Sequence, residues 1–460
     1  MGAIAVRNAE IIVTMDEERR EIPRGGMLVK DGVIDSIASS EDLDYEGAKV
    51  IDLSRHLVFP GLVNTHHHLY QTLTRAVPGA QDANLFEWLR TLYPVWARLH
   101  PEAVYLSAKV GMAELLLSGC TTSSDHLYVF PNGSRLDDSI RAAQEIGMRF
   151  HPTRGSMSLG ESAGGLPPDS LVESERDILA DSSRVVESFH DPQRGSMLRV
   201  GLAPCSPFSV TENLMRASAE MARDYGVRLH THLAETIDEE KFCLQKFGRK
   251  PLEYVRELGW EGDDVWFAHM VHLEPDEINV LASTGCGVAH CPTSNMRLAS
   301  GIAPLQALRR AGVAVGLGVD GSASNDGNQM LAEARQAMLV ARLNIAENAR
   351  SGELAAGVQL SAREALELAT RGGASVLGRN DIGSLQPGNC ADFFAISMDR
   401  VAFAGALHDP VAAALLCAPQ QADWVMVNGS IVVEDGHLTN IDLPRVLEAH
   451  NKIAADMFVA

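Results

Sequence analysis

The chain has 460 residues, and 39 Lys plus Arg against 60 Asp plus Glu leave a formal charge of −21. With 46% hydrophobic and 22% charged residues it has the composition of a globular protein with material for one large core or two, not that of a disordered or fibrous chain. So acidic a surface, without a Lys/Arg cluster to interrupt it, repels phosphate backbones, which excludes nucleic acid as the expected partner and leaves a free small molecule. No apolar run reaches the roughly 18 residues of a membrane helix, the longest being Ala311 to Val319 and Val411 to Ala418, so no membrane association is expected. The first 20 residues lack the pattern of a secretory signal. Seven scattered cysteines, an odd number, suit a reduced, cytoplasmic setting.

Residues 1–58 alternate short β-type runs with turns, and Asp31-Gly32 between two apolar runs predicts a hairpin, because both central residues of that turn need positive φ. From 59 to 380 the texture changes to short apolar runs separated by amphipathic stretches, the pattern of parallel strands with crossover helices. Strands are expected to end at His66/His68, Thr121 to Asp125, Phe150 to Thr153, Val200 to Pro204, Leu229 to His232, Phe267 to His269, Val288 to His290 and Gly316 to Asp320. Eight such strands predict an α/β fold, a (β/α)8 barrel of the TIM type. An open doubly wound sheet is the alternative, weakened by the lack of a Gly-rich phosphate loop after the first strand. Residues 381–460 return to β texture, with a second hairpin around Asn428-Gly429, so both chain ends are expected to build one small composite β-sandwich.

Five expected strand ends finish in His or Asp, and in an α/β barrel such ends converge at one mouth. In extended chain, residues two apart share a face, so His66 and His68 point together while His67 points away. Leu229-His230-Thr231-His232 puts an imidazole at a strand end, with Glu235 three residues on; Ala268-His269 and Val319-Asp320-Gly321 complete the set. Singly, each has a bland reading, such as a hydrogen-bonded core histidine or a helix cap. Three neutral imidazoles and one carboxylate suit Zn²⁺, and also Fe²⁺, with a position left for water. Such a water titrates near pH 7, and nearby acids are then needed to move two protons.

Asn64-Thr65-His66-His67-His68, His232-Leu233-Ala234-Glu235-Thr236, Ala268-His269-Met270-Val271-His272-Leu273, His290-Cys291-Pro292-Thr293-Ser294-Asn295 and Gly318-Val319-Asp320-Gly321 resemble motifs of the amidohydrolase superfamily, in its deaminase and triazine-hydrolase branch. The resemblance covers essentially the whole chain. It implies metal ligation by His66, His68, His232 and Asp320, and proton transfer or water orientation by Glu235, His269 and Asp320. Binuclear members carry a Lys at the end of strand four, where this chain has Ala203-Pro204-Cys205-Ser206-Pro207, so one divalent metal ion is expected, zinc before iron. Within the branch, His66 to Arg75 and Leu202 to Phe208 are most similar to 8-oxoguanine deaminases, which implies hydrolysis of 8-oxoguanine to urate and ammonia; a hydroxytriazine (N-ethyl)aminohydrolase or another purine or pterin deaminase is the alternative. Family members are often dimers or larger, which implies a homo-oligomer.

Three residues are candidates for substrate binding: Gln71, whose amide offers a donor and an acceptor to a base edge; Arg154, for a base carbonyl or else a structural ion pair; and Cys205, as a pocket wall. Trp88 and Trp96 read as core. An enzyme of a different class is suggested by Gly160-Glu161-Ser162-Ala163-Gly164, which matches the G-x-S-x-G elbow of serine esterases with Ser162 as nucleophile. That motif needs a strand before it and a helix after it, and Pro167-Pro168 argue against the helix.

Overall fold

The computed structural model describes residues 2–350 and 360–459. Eight parallel strands close into a barrel: Leu62–Asn64, Cys120–Leu127, Arg149–Ser156, Gly201–Pro204, Leu229–Leu233, Val265–His269, Gly287–His290 and Val315–Leu317. Closure runs through Leu317 against Asn64, reinforced by Thr65 N–H donating to the Leu317 carbonyl at 2.9 Å. The doubly wound alternative is thereby excluded. The strands are almost wholly buried, because side chains fill the barrel on one face and the helix ring covers the other.

The helices begin where the sequence supplies caps. Thr211 Oγ1 accepts from Leu214 N–H ahead of Glu212–Tyr225, and Thr236 Oγ1 accepts from Glu239 N–H ahead of Ile237–Phe247. The helical stretch from Ala362 to Val376 is interrupted by a π-helical turn over Leu368–Gly372. There the helix is pressed onto the barrel: a β-carbon on Gly372 would lie 2.5 Å from the Val315 carbonyl oxygen, and one on Gly373 would lie 2.7 Å from that of Val63. Glycine permits that approach.

Strands from both chain ends form a single nine-stranded sheet, in the order His437–Leu438, Ser430–Glu434, Trp424–Val427, Phe393–Ser397, His56–Pro60, Ile4–Val13, Glu21–Lys30, Val33–Ser39, with Lys49–Asp52 beside Ile4–Val13. The sheet closes over its own core, which includes Val6, Ile12, Met27, Ile34, Phe393 and Met426. Both expected hairpins are present, with φ of 49° and 80° at Asp31 and Gly32 and of 49° and 78° at Asn428 and Gly429. A buried bidentate ion pair, Arg149 to Asp392, ties the third barrel strand to the start of Phe393–Ser397, a central strand of this sheet, at 2.9 and 3.1 Å. The C-terminal helix Leu443–Asp456 lies on the barrel wall, where His450 Nε2 is 3.0 Å from Thr72 Oγ1. No described helix is long and apolar enough to cross a membrane.

Candidate active site

The chemistry-bearing side chains meet at the C-terminal mouth of the barrel. His66 and His68 follow the first strand, His232 lies on the fifth, His269 ends the sixth, and Asp320 sits three residues past the eighth. Backbone turns aim them: φ is 72° at His269 and 63° at Asp320, left-handed values that non-glycine residues adopt at a cost and that the surrounding hydrogen bonds hold in place. Asp320 N–H donates to the His66 carbonyl at 3.1 Å, and Gly321 N–H donates to Asp320 Oδ1 at 2.7 Å.

His66 Nε2 and His68 Nε2 each lie 3.3 Å from Asp320 Oδ1, and His68 Nε2 lies 3.0 Å from His232 Nε2. The protonation of these rings follows from their other nitrogens. His68 Nδ1 is 2.7 Å from the His126 carbonyl oxygen, and His232 Nδ1 is 2.7 Å from that of Cys205. A carbonyl can only accept, so both Nδ1 atoms carry the proton and both Nε2 atoms are bare lone pairs. Burial pushes the pKa of all three histidines down, that of His232 to about 3, which keeps the rings neutral. Two bare nitrogens at 3.0 Å beside a carboxylate repel one another unless a cation lies among them. The donor set fits a divalent metal ion, with His66, His68 and Asp320 converging and His232 joining through His68.

Glu235 and His269 stand next to this cluster. His269 Nε2 is 3.6 Å from Glu235 Oε2 and 3.9 Å from Asp320 Oδ2, and its Nδ1 faces Asn295 Oδ1 at 2.9 Å. Burial raises the Glu235 pKa above the ordinary carboxyl value. Burial also pulls His269 down, but Glu235, Asp320 and Asn295 outweigh it and leave the imidazole with a raised pKa. For Asp320 burial acts upward, and His66, His269 and His68 together overcome it, so that the carboxylate stays ionised. Ser300 Oγ donates to Glu235 Oε1 at 3.0 Å. The buried Glu239 turns back from the first turn of its helix to accept from Ala234 N–H at 3.0 Å and Glu235 N–H at 2.8 Å, which fixes the loop carrying Glu235.

Above the cluster is a cavity with walls that include Leu85, Trp88, Tyr93, Phe208 and Leu298 and a polar floor of Glu235, His269 and Asp320. Gln71 and Cys205 both line it. Gln71 Oε1 accepts from Ala323 N–H at 3.3 Å, while its buried Nε2 makes no hydrogen bond. Burial pushes the Cys205 thiol up to about 12, so it is a neutral wall and not a nucleophile. Arg154 is not brought to the cavity. Strand alternation turns it to the helix side with Phe150, where its guanidinium pairs with Asp181 at 2.7 Å and Glu173 at 2.8 Å and lies 3.8 Å from the Phe130 ring centroid. Ser162 lies on an exposed 3₁₀ turn with its hydroxyl on Asp169 at 3.0 Å, in a loop with neither the strand nor the helix of a nucleophile elbow. The esterase alternative is thereby overturned.

Sequence reasoning missed several residues. Trp88, read as core, forms a cavity wall while its Nε1 donates to the Ala323 carbonyl at 3.0 Å. The apolar stripe Leu85, Trp88, Leu89, Leu92, Tyr93, Trp96 looks the same whether it faces a core or a cavity. Tyr128 and Ser300 carried no local signal, and Asn295 stood at the end of one of the motifs of the family resemblance without a role assigned to it. His230 did carry one, since it shares a strand face with His232.

The amidohydrolase family pattern matches residues 57–432. The 8-oxoguanine deaminase of Pseudomonas aeruginosa is 50% identical over 434 residues, 94% of each chain. Hydroxydechloroatrazine ethylaminohydrolase of Pseudomonas sp. strain ADP is 37% identical over 403 residues, covering 86% of this chain and 82% of its own. The zinc complex of atrazine chlorohydrolase from Arthrobacter aurescens superposes with a TM-score of 0.92 at 33% identity, over 98% of this chain and 100% of that one. With its closed barrel, its composite sheet and a donor set that fits a divalent ion, the chain belongs to the amidohydrolase family.

Proposed function

We propose that this hydrolase deaminates a free aminated heterocycle, 8-oxoguanine, with water to give urate and ammonia, and that His66, His68, His232 and Asp320 hold one zinc ion for the purpose. The observation that carries the reading is the convergence of Glu235, His269 and Asp320 on the floor of a cavity with apolar walls, where Glu235 and His269 are held toward their protonated forms and Asp320 stays ionised. The 50% identity to an 8-oxoguanine deaminase supports this choice of substrate. A zinc ion in this donor set supplies a water acidic enough to be deprotonated near neutral pH.

The residues divide the proton work. Trp88 and Phe208 offer apolar faces to the planar base, and Gln71 Nε2 is free to donate to an acceptor on its edge. Asp320, kept ionised, takes a proton from the attacking water. Glu235, kept protonated by burial, delivers its proton to the ring nitrogen beside C2 as the oxygen adds there. His269, with its Nδ1 against Asn295, directs Nε2–H at the tetrahedral oxygen. The proton on Asp320 then passes to the departing amine, and the hydroxyl proton left on C2 returns to Glu235 as the carbonyl forms, so one water is consumed and one ammonia released for each base and both carboxyls regain their starting states.

The test is amine release, read as ammonia from 8-oxoguanine, isoxanthopterin, isocytosine and adenosine and as ethylamine from an N-ethylamino hydroxytriazine. The highest kcat/KM is expected on 8-oxoguanine, with activity lost in a chelator and restored by Zn²⁺. A clear preference for the hydroxytriazine would move the chain to the ethylaminohydrolase reading that its 37% identical relative represents.

A further inference from the structure

The three imidazoles that face the cluster each carry a proton on Nδ1 that must find an acceptor. For His68 and His232 the acceptor is a main-chain carbonyl, which no side-chain replacement removes. For His66 it is another side chain: His66 Nδ1 lies 2.7 Å from Nε2 of His230. The His230 ring is fully buried and stacked on Trp266, with centroids 4.4 Å apart and planes at 14°, and its Nδ1 is 2.9 Å from the Trp266 carbonyl oxygen. That oxygen only accepts, so His230 keeps its proton on Nδ1 and presents a bare Nε2 to His66. His66 must then carry its own proton on Nδ1, which leaves Nε2 bare, without a hydrogen-bond partner and facing Asp320. One main-chain oxygen thus sets the state of two rings in series.

We infer that His230 is a positioning residue for the metal site: it fixes the tautomer and direction of His66 by accepting its Nδ1 proton. The inference rests on the reading of His66 as a metal ligand given above. Without an acceptor at this point, Nδ1–H of His66 would be a buried donor left unpaired. The competing tautomer, with its proton on Nε2, would turn an N–H instead of a lone pair toward the ion. Partners of this kind hold ligand orientation and basicity in metal sites generally. Here this one alone among the three imidazoles is encoded in a replaceable side chain.

The test compares zinc affinity, by competition with a chromophoric chelator, for the full-length wild type, His66→Asn, His230→Met and His230→Gln. Met and Gln have similar length and volume and differ in the acceptor. His230→Met is expected to weaken zinc binding about 10–100-fold, and His230→Gln to stay within about threefold of wild type, with comparable melting temperatures for the metal-free forms. His230→Asn, whose amide stops short of His66, replaces Met in the comparison if the Met chain does not fold. Zinc affinity unchanged in His66→Asn would sink the ligand reading itself. With that control lost as expected, wild-type affinity in His230→Met, or equal weakening in Met and Gln, overturns the role of His230.

Discussion

Glu235 and His269 lie 3.6 Å apart, and burial moves the carboxyl toward its protonated form while the neighbouring acids move the imidazole toward its own. The pair works as a proton store only if the carboxyl can give its proton away. Glu235→Gln keeps the shape and the contact with Ser300 but cannot protonate the base; kcat is expected to fall ~10²-fold or more with zinc content unchanged, read by ammonia release and metal analysis. Much at this scale was legible in the sequence, because His66, His68, His232, Glu235, His269 and Asp320 all sit at or just beyond strand ends, where parity and topology predict their direction. Arg154 shows where that reasoning stops. It also sits near a strand end, but one residue out of phase, and it faces Asp181 on a helix whose position the local sequence does not encode.

At the level of elements, the site depends on how closely the eighth strand and its turn approach the first. A β-carbon on Gly318 would lie 2.7 Å from Cβ of His66 and 3.0 Å from Sγ of Cys291, and one on Gly321 would lie 1.9 Å from Gln71 Oε1. Gly318→Ala is therefore expected to push on His66, cost about 1–3 kcal/mol by overpacking and weaken zinc binding, as read by thermal melting and a metal titration. The same logic explains the π-helical turn at Leu368–Gly372, which hydrophobic periodicity presents as uninterrupted helix. Gly372 and Gly373 signal a close approach, but the element they approach is more than 50 residues away in sequence for Val315 and about 300 for Val63.

Across the whole molecule, the barrel and the composite sheet are joined by Arg149 and Asp392, both buried, with Asp392 also accepting from Asn428 N–H at 2.6 Å. Arg149→Met leaves that carboxylate buried without its cation, and a loss of about 3–5 kcal/mol in urea unfolding is expected.

A second whole-molecule expectation concerns acid. Burial lowers the pKa of ten histidines, among them His67 and His232 to about 3 and His290 and His450 to about 4. Below the ordinary value of about 6.5 the unfolded chain takes up these protons and the folded chain does not, so this stability is present above about pH 6.5 and lost as the pH falls. Six groups act the other way: Asp138, Glu235 and His269 are raised, and Asp125, Glu239 and Glu333 are pushed up to about 7, so they favour folding at low pH and lose that effect as the pH rises. Ten outweigh six, and the urea midpoint of the metal-free protein is expected to be lower at about pH 5 than at about pH 6.5. An unchanged or higher midpoint at the lower pH would contradict this balance.

Short-range patterns in the chain suffice for the alternation of strand and helix, the β texture of both ends, the two hairpins and the positions of the side chains that carry charge and lone pairs. These follow from neighbours a few residues apart, through side-chain parity, turn residues with positive φ and helix caps. Tertiary structure alone decided which protonation state each imidazole holds, which aromatic rings wall the cavity, and that Arg154 turns away from it. Those outcomes depend on partners far along the chain: Cys205 for His232, Trp266 acting through His230 for His66, Ala323 for Trp88 and Asp181 for Arg154. Hydrogen bonds and burial act through distance in space, and no local pattern records which distant strand or helix will supply the acceptor.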